Sequence, residues 1–263
     1  MKILFVYHHL YPEFWRDGLW AALRVISEKH ELVLCNLAEE RPDYTGFEFL
    51  LGWGAFGSPT DLCLKQAPRN IRRGLCIAGN AISPRGLENY DVLFYETEWY
   101  RPQIAHHSNI IHAFGVNTDI YKPIDLPIVW DVLSVGAFAR WKRQVNLLNL
   151  KGNRLVVGEI QKENMGESLD RIGLLVQGGV GIMDMVPPET LNLIYNLSSY
   201  VYIPADIIGG GERSVLEARA CGKTVVVEPD NPKLKELCYS EIFDHNYYAT
   251  QLLKGIEREN RSS

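Results

Sequence analysis

Four groups of residues in this chain have types and spacing that could do chemistry. Gly209, Gly210 and Gly211 stand in a row just ahead of an amphipathic stretch, Ser214 to Ala220. Successive glycines before a helix let backbone N–H groups converge on an anion, and the positive end of the helix dipole adds to the attraction. Arg140, Lys142 and Arg143 cluster between the apolar run DVLSVG and the stretch QVNLL, where the spacing predicts a loop entering a helix. Cations at a helix start oppose the dipole preference, and a bound anion relieves that conflict. Glu217 falls inside the helix after the glycines, where a carboxylate can accept hydrogen bonds from hydroxyls. Glu96 and Glu98 follow the run DVLFY, and groups just past a strand's carboxyl end face the ligand crevice of an open α/β sheet. Each feature alone also has a plain structural reading: a tight turn, a charged surface, solvated loop carboxylates.

Other chemistries find less support. The histidines come as His8-His9, His106-His107 and His112, with His30 and His245 isolated. Adjacent histidines on a strand point to opposite faces, and no HExxH or cysteine–histidine spacing suggests a metal. Gly222-Lys223-Thr224 resembles the end of a phosphate-binding P-loop, but it follows a helix and enters a strand, the reverse of that motif's order. The link after the first strand lacks GxGxxG, which disfavours a nicotinamide-dependent oxidoreductase. A hydrolase would need two carboxylates flanking the scissile bond, and no pair here is compelling.

The elements that must position these residues alternate along the chain. Lys2 to Tyr7 is a continuous apolar run, as expected of a strand buried on both faces in a parallel sheet. The loop HHLYPEFWRDG leads to a helix from about Leu19 to Lys29, and ELVLCNL is the next strand. GFEFLLGWGAFG, dense in glycine and aromatics, reads as core. Strands are expected at RRGLCIAGN, DVLFY, DVLSVG, RLVVG, GLLVQG (173–178), Tyr200 to Ile203 and TVVVE. Helices are expected from Pro188 to Leu197 and from Tyr247 to Glu257, and the tail ERENRSS should fray. Strand, glycine loop, helix and strand over Tyr200 to Glu228 make a βαβ unit.

The 263 residues suffice for two cores, and 46% hydrophobic with 22% charged residues is ordinary for a globular protein. A net charge of −5 argues against broad binding to nucleic acid or anionic lipid. Five scattered cysteines without CxxC spacing suggest reduced thiols. ILFVY is too short for a signal or membrane segment, so a cytoplasmic protein without an integral membrane segment is expected.

Several of these pieces resemble, in order, the motifs of GT-B glycosyltransferases of the large retaining, nucleotide-sugar-using group. HAFGVNTDIYKP is similar to that group's NGVDTxxFxP segment, LSVGAFARWKRQVNLL to its VGRxxxxKGxxxLI segment, and IPADIIGGGERSVLEARACGKTVVV to PSxxEGFGLxxLEAMACGxPVV. The resemblance is strong over Asn109 to Glu228 and weaker before. It implies an α/β fold of two Rossmann-like domains with parallel sheets facing a cleft: an acceptor-side domain over 1–121 and a nucleotide-sugar domain over 122–246, with a closing helix over 247–263 packing back on the first.

Carried over residue by residue, the resemblance puts Lys142 on the diphosphate and Glu217 on the ribose hydroxyls. It puts Gly210 beside the donor sugar and makes Gly18 the glycine of the first-strand loop that approaches the phosphate. Gly209 replaces the group's first glutamate, with Asp206 and Glu212 as nearby substitutes. Ala137 replaces the arginine of VGR, leaving Arg140 as the second diphosphate cation. Glu96 stands where the group has a histidine.

The expected activity is sugar transfer from a nucleoside diphosphate sugar to an acceptor the sequence does not identify. Retention of configuration, no metal and no separate cofactor are expected. The donor-binding set is then Gly209, Gly210, Gly211, Glu212, Glu217 and Gly18, and the catalytic set Lys142, Arg140 and Glu96. The alternative is a non-catalytic sugar-nucleotide-binding or scaffold protein with a degenerate site.

Overall fold

Residues 1–9, 17–79, 86–161 and 164–258 are described by the structure, a computed structural model. Most of the expected loop HHLYPEFWRDG (its residues 10–16) and most of the charged tail (259–263) lie outside those residues. The chain forms two units, Met1–Gly115 with Phe243–Ser263, and Val116–Ile242.

In the first unit, β1 (Lys2–Tyr7), β2 (Glu31–Asn36), β3 (Phe49–Gly54), β4 (Arg72–Ile77), β5 (Val92–Tyr95) and β6 (Ile110–His112) form one sheet, ordered β2-β1-β3-β4-β5-β6. Every pairing is parallel. Helices α1 (Gly18–Ser27), α2 (Pro59–Gln66) and α3 (Arg101–Ile104) belong to this unit. The central strands are apolar because both of their faces are covered, and Ile3 to Val6 and Phe49 to Leu51 are buried. The glycine–aromatic stretch is core, as its composition suggests. A Cβ on Gly54 would lie 2.6 Å from Ser58 Oγ, and one on Gly52 would run into Leu64, so the glycines let α2 press onto β3.

The second unit has β7 (Trp130–Val135), β8 (Arg154–Gly158), β9 (Gly181–Asp184), β10 (Ser198–Ile203) and β11 (Thr224–Val227) in the order β11-β10-β7-β8-β9, again all parallel. Its helices are α4 (Met165–Gln177), α5 (Pro188–Asn196), α6 (Glu212–Ala220) and α7 (Pro232–Tyr239). The chain then returns to the first unit as α8 (His245–Ile256). Arg72 donates to the Gly255 and Ile256 carbonyls at 3.2 and 3.0 Å, satisfying the end of α8. A Cβ on Gly255 would lie 2.6 Å from Phe94, so α8 sits close over β5.

Two local expectations differ from the structure. GLLVQG is not a strand but the end of α4; Leu175 is buried there while Leu174 and Val176 are exposed. Ser168 and Leu175 share the buried face at helical spacing, and that period outweighs the short apolar run. The stretch after β7 is two 3-10 segments, Arg140–Lys142 and Gln144–Asn149, rather than an α-helix. The Trp141 carbonyl, which an α-helix would give to residue 145, instead accepts the Asp206 N–H at 2.9 Å. Arg143, at φ 49°, separates the two segments.

Candidate functional site

In the second unit the chain runs from β7 to β8 and β9 on one side, then crosses back to β10 and β11 on the other. The strand order therefore reverses between β7 and β10, and ligands of open α/β sheets bind beyond the carboxyl ends of the strands at such a point. β7 ends at Val135 and β10 at Ile203, so the lysine turn and the glycine loop both emerge there.

Gly136 follows β7 with φ +148°, a conformation that favours glycine. Its carbonyl packs on Gly158, where any Cβ would collide with it. Buried Gln144 donates from Nε2 to the Gly136 and Ala137 carbonyls at 2.9 and 2.8 Å. The turn so fixed carries Lys142 back over its own start: a Cβ on Gly136 would lie 3.3 Å from Lys142 Cδ and 3.5 Å from Nζ.

Burial pushes the Lys142 ammonium down to about 8; Glu212 opposes that fall, Arg213 and Lys233 add to it, and Asp206 opposes it. The three cations do not share one fate. Arg143 lies 2.7 Å from Asp230 and 3.6 Å from Asp206, Arg140 is exposed, and Lys142 is the one brought to the glycine loop.

In that loop Gly209 donates its N–H to the Asp206 carbonyl at 2.9 Å, which takes one of the three glycine amides out of the expected anion nest. Gly210 and Gly211 have φ 61° and 118°, and Gly211 is the N-cap of α6, with no side-chain cap. A Cβ on Gly210 would lie 3.3 Å from Glu212 Oε2 and 3.8 Å from Lys142 Nζ. Lysine, carboxylate and glycine backbone thus meet at one place beside the start of a helix.

Glu212 is the first residue of α6 and is buried. Its Oε1 lies 2.5 Å from Nζ of Lys233, a fully buried lysine in the first turn of α7. Asn231, also fully buried, caps α7 by accepting the Leu234 N–H, and its Nδ2 donates to the Ala205 and Asp206 carbonyls at 3.1 and 2.8 Å. Neither Lys233 nor Asn231 was expected from the sequence. Asn-Pro is legible as a helix start, but the burial of the lysine two residues later leaves no local trace.

Glu217 is buried within α6 and accepts the Tyr195 hydroxyl at 3.1 Å. Burial, and next the Glu217 charge, raise the Tyr195 hydroxyl well above its ordinary value.

In the first unit Glu96 follows β5, and its carbonyl lies 3.2 Å from His112 Nε2. Glu98 accepts the Tyr95 hydroxyl at 3.0 Å and pairs with Arg101 at 3.2 Å. Gly18 is the buried first residue of α1, whose N-cap Asp17 accepts the Trp20 N–H at 3.0 Å. Past β1, the His9 backbone N–H and carbonyl are both bonded by the Asn36 side chain.

Two parallel-sheet α/β units in one chain are of the GT-B type of fold. No protein-family model matches the chain, and no curated protein matches its sequence. Among solved structures it is similar to sucrose-phosphate synthase from Thermosynechococcus elongatus, with TM-score 0.65 and 13% identity over 97% of this chain and 90% of that one. Anabaena HepE in complex with UDP-glucose gives TM-score 0.66 and 13% identity, over 98% and 90% of the two chains. AviGT4, a glycosyltransferase involved in avilamycin A biosynthesis, gives 0.61 and 13%, over 98% and 88%. At these identities the likeness is one of fold.

Proposed function

We propose that this chain is a glycosyltransferase that moves a sugar from a nucleoside diphosphate sugar to an acceptor, with net retention and without a metal. The observation that carries the reading is the Lys142 ammonium beside Gly210, at the strand-order reversal of the second unit. The HepE structure in complex with UDP-glucose, on a similar fold, supports a nucleotide-sugar donor.

The barrier in such a transfer is departure of the diphosphate as the sugar becomes oxocarbenium-like. Cations and N–H groups already aimed at the leaving group lower that barrier. Lys142 takes this role, with Arg140 as the second cation and the Gly210–Gly211 backbone as donors. Glu217 is assigned to the ribose hydroxyls and Glu212 to the sugar side. In the first unit, Glu96 is the candidate catalytic residue and Gly18 the glycine assigned to the phosphate.

The test is thermal-shift screening against UDP, GDP and ADP and their sugars, followed by measurement of sugar release or transfer on the hits. Stabilisation by at least one, lost in Lys142→Ala, is expected, and activity should persist in EDTA. No stabilisation by any, or an unchanged Lys142→Ala, sinks the proposal.

A second reading, a sugar-nucleotide-binding protein without catalysis, is favoured by one observation. Position 209 carries no carboxylate, and a Cβ there would lie 2.5 Å from the Trp141 carbonyl oxygen. Both readings expect nucleotide binding, whereas only the enzyme releases or transfers sugar.

A further inference from the structure

Lys233 has no solvent exposure, and its ammonium lies 2.5 Å from Glu212 Oε1. Removing such a charge from water is costly unless a close counter-charge holds it. The other oxygen of the same carboxylate, Oε2, lies toward Gly210, where Lys142 Nζ also arrives. One glutamate therefore stands between two lysines from different elements, the turn after β7 and the first turn of α7.

The arrangement is held from below. Asn231 bonds both the α7 backbone and the Ala205 and Asp206 carbonyls, and Leu234 lies 3.4 Å from where a Cβ on Gly211 would stand. Among the charges facing Lys142, Asp206 is shared with Arg143 and Glu212 is shared with Lys233. Arg213 and Lys233 bring like charge.

We propose that Lys233 is a positioning residue for the diphosphate: by holding Glu212, it keeps Lys142 available to an anionic ligand at the Gly210 turn. This rests on the nucleotide-sugar reading above. Without Lys233, the whole Glu212 charge falls to Lys142, and the carboxylate competes with the ligand for that ammonium.

The test is calorimetric titration of the full chain with UDP across pH, for the wild type, Lys233→Met, Glu212→Gln and the double variant. Wild-type affinity should fall as pH rises through about 8. Lys233→Met should bind about tenfold more weakly near neutral pH, the scale of a changed close charge pair at a binding site. Its falloff should move to higher pH, because Lys142 loses a like charge and gains a counter-charge. Glu212→Gln should move the falloff to lower pH. In the double variant the competing carboxylate is gone, and neutral-pH affinity should recover from that of Lys233→Met.

A lysine that only supports the fold would lower the melting temperature and leave both the neutral-pH affinity and the falloff of Lys233→Met at wild-type values, which overturns the proposal. Should Lys233→Met not fold, Lys233→Arg and Lys233→Gln decide. A wild-type profile in Lys233→Arg, with weaker neutral-pH binding and a raised falloff in Lys233→Gln, supports it, and an unmoved falloff in Lys233→Gln overturns it. Failure of the wild type to bind UDP, GDP or ADP instead removes the nucleotide reading itself.

Discussion

The carbonyl oxygen of Trp141 lies against Gly209, 2.5 Å from where a Cβ would stand, and the same oxygen accepts the Asp206 N–H. The lysine turn and the glycine loop are locked together through that one carbonyl. The resemblance puts a glutamate at position 209, and here the backbone leaves no room for one. Both Gly209→Ala and Gly209→Glu should therefore destabilise the protein, the alanine by roughly 2–3 kcal/mol, because the clash is with backbone rather than a side chain that can turn away. Urea unfolding measures this. A Gly209→Glu variant of wild-type stability would contradict the packing described.

Asn231 makes a second prediction. Its alanine variant loses the α7 cap and both bonds to the loop carbonyls, and should cost roughly 2–4 kcal/mol. Asn231→Asp keeps the cap acceptor but has no N–H for Ala205 and Asp206. If the loop carbonyls matter beyond the cap, UDP affinity should fall in both variants; an aspartate variant with full affinity would limit Asn231 to helix capping.

Strands buried on both faces were legible because such burial selects continuous apolar runs, as in Ile3 to Val6 and Leu93 to Tyr95. GLLVQG failed for the same reason in reverse: three apolar residues in a row also occur on a helix, and only the wider spacing through Ser168 and Leu175 tells them apart. The turn at Arg140 to Asn149 was illegible as 3-10 because its cause is distant, the Asp206 amide taking the Trp141 carbonyl. In the candidate site, the meeting of Lys142 with the glycine loop was readable from motif order. The Glu212–Lys233 pair was not, since a lysine in a turn-and-helix stretch looks solvated until the packing of α7 buries it.

Gly115, in the segment HAFGVNTDIYKP, is constrained by backbone too. A Cβ there would run into the Asp244 carbonyl oxygen and lie 3.2 Å from that of Phe243. Gly115→Ala should lower stability by roughly 2–3 kcal/mol by pushing apart two chain segments with no flexible side chain between them. The residues to watch are those at the start of α8, where amide hydrogen exchange should quicken. Unchanged exchange there would mean that the segments separate without cost.

The lowered Lys142 pKa separates two pH effects of opposite sign. The unfolded chain holds this proton up to the ordinary lysine value of 10.5, whereas the folded chain releases it from about 8. Between those values the unfolded state binds more protons, so the Lys142 contribution to stability is unfavourable below about 8 and is relieved as pH rises. Binding runs the other way. A diphosphate is held by the protonated ammonium, so its affinity should decline through the same window. Melting temperatures with and without UDP, measured on wild type and Lys142→Met, separate the two. The ligand-induced shift of the wild type should shrink above about pH 8, while that of Lys142→Met should be small throughout. A wild-type shift that stays constant across the window would mean that the ammonium is not what the ligand meets.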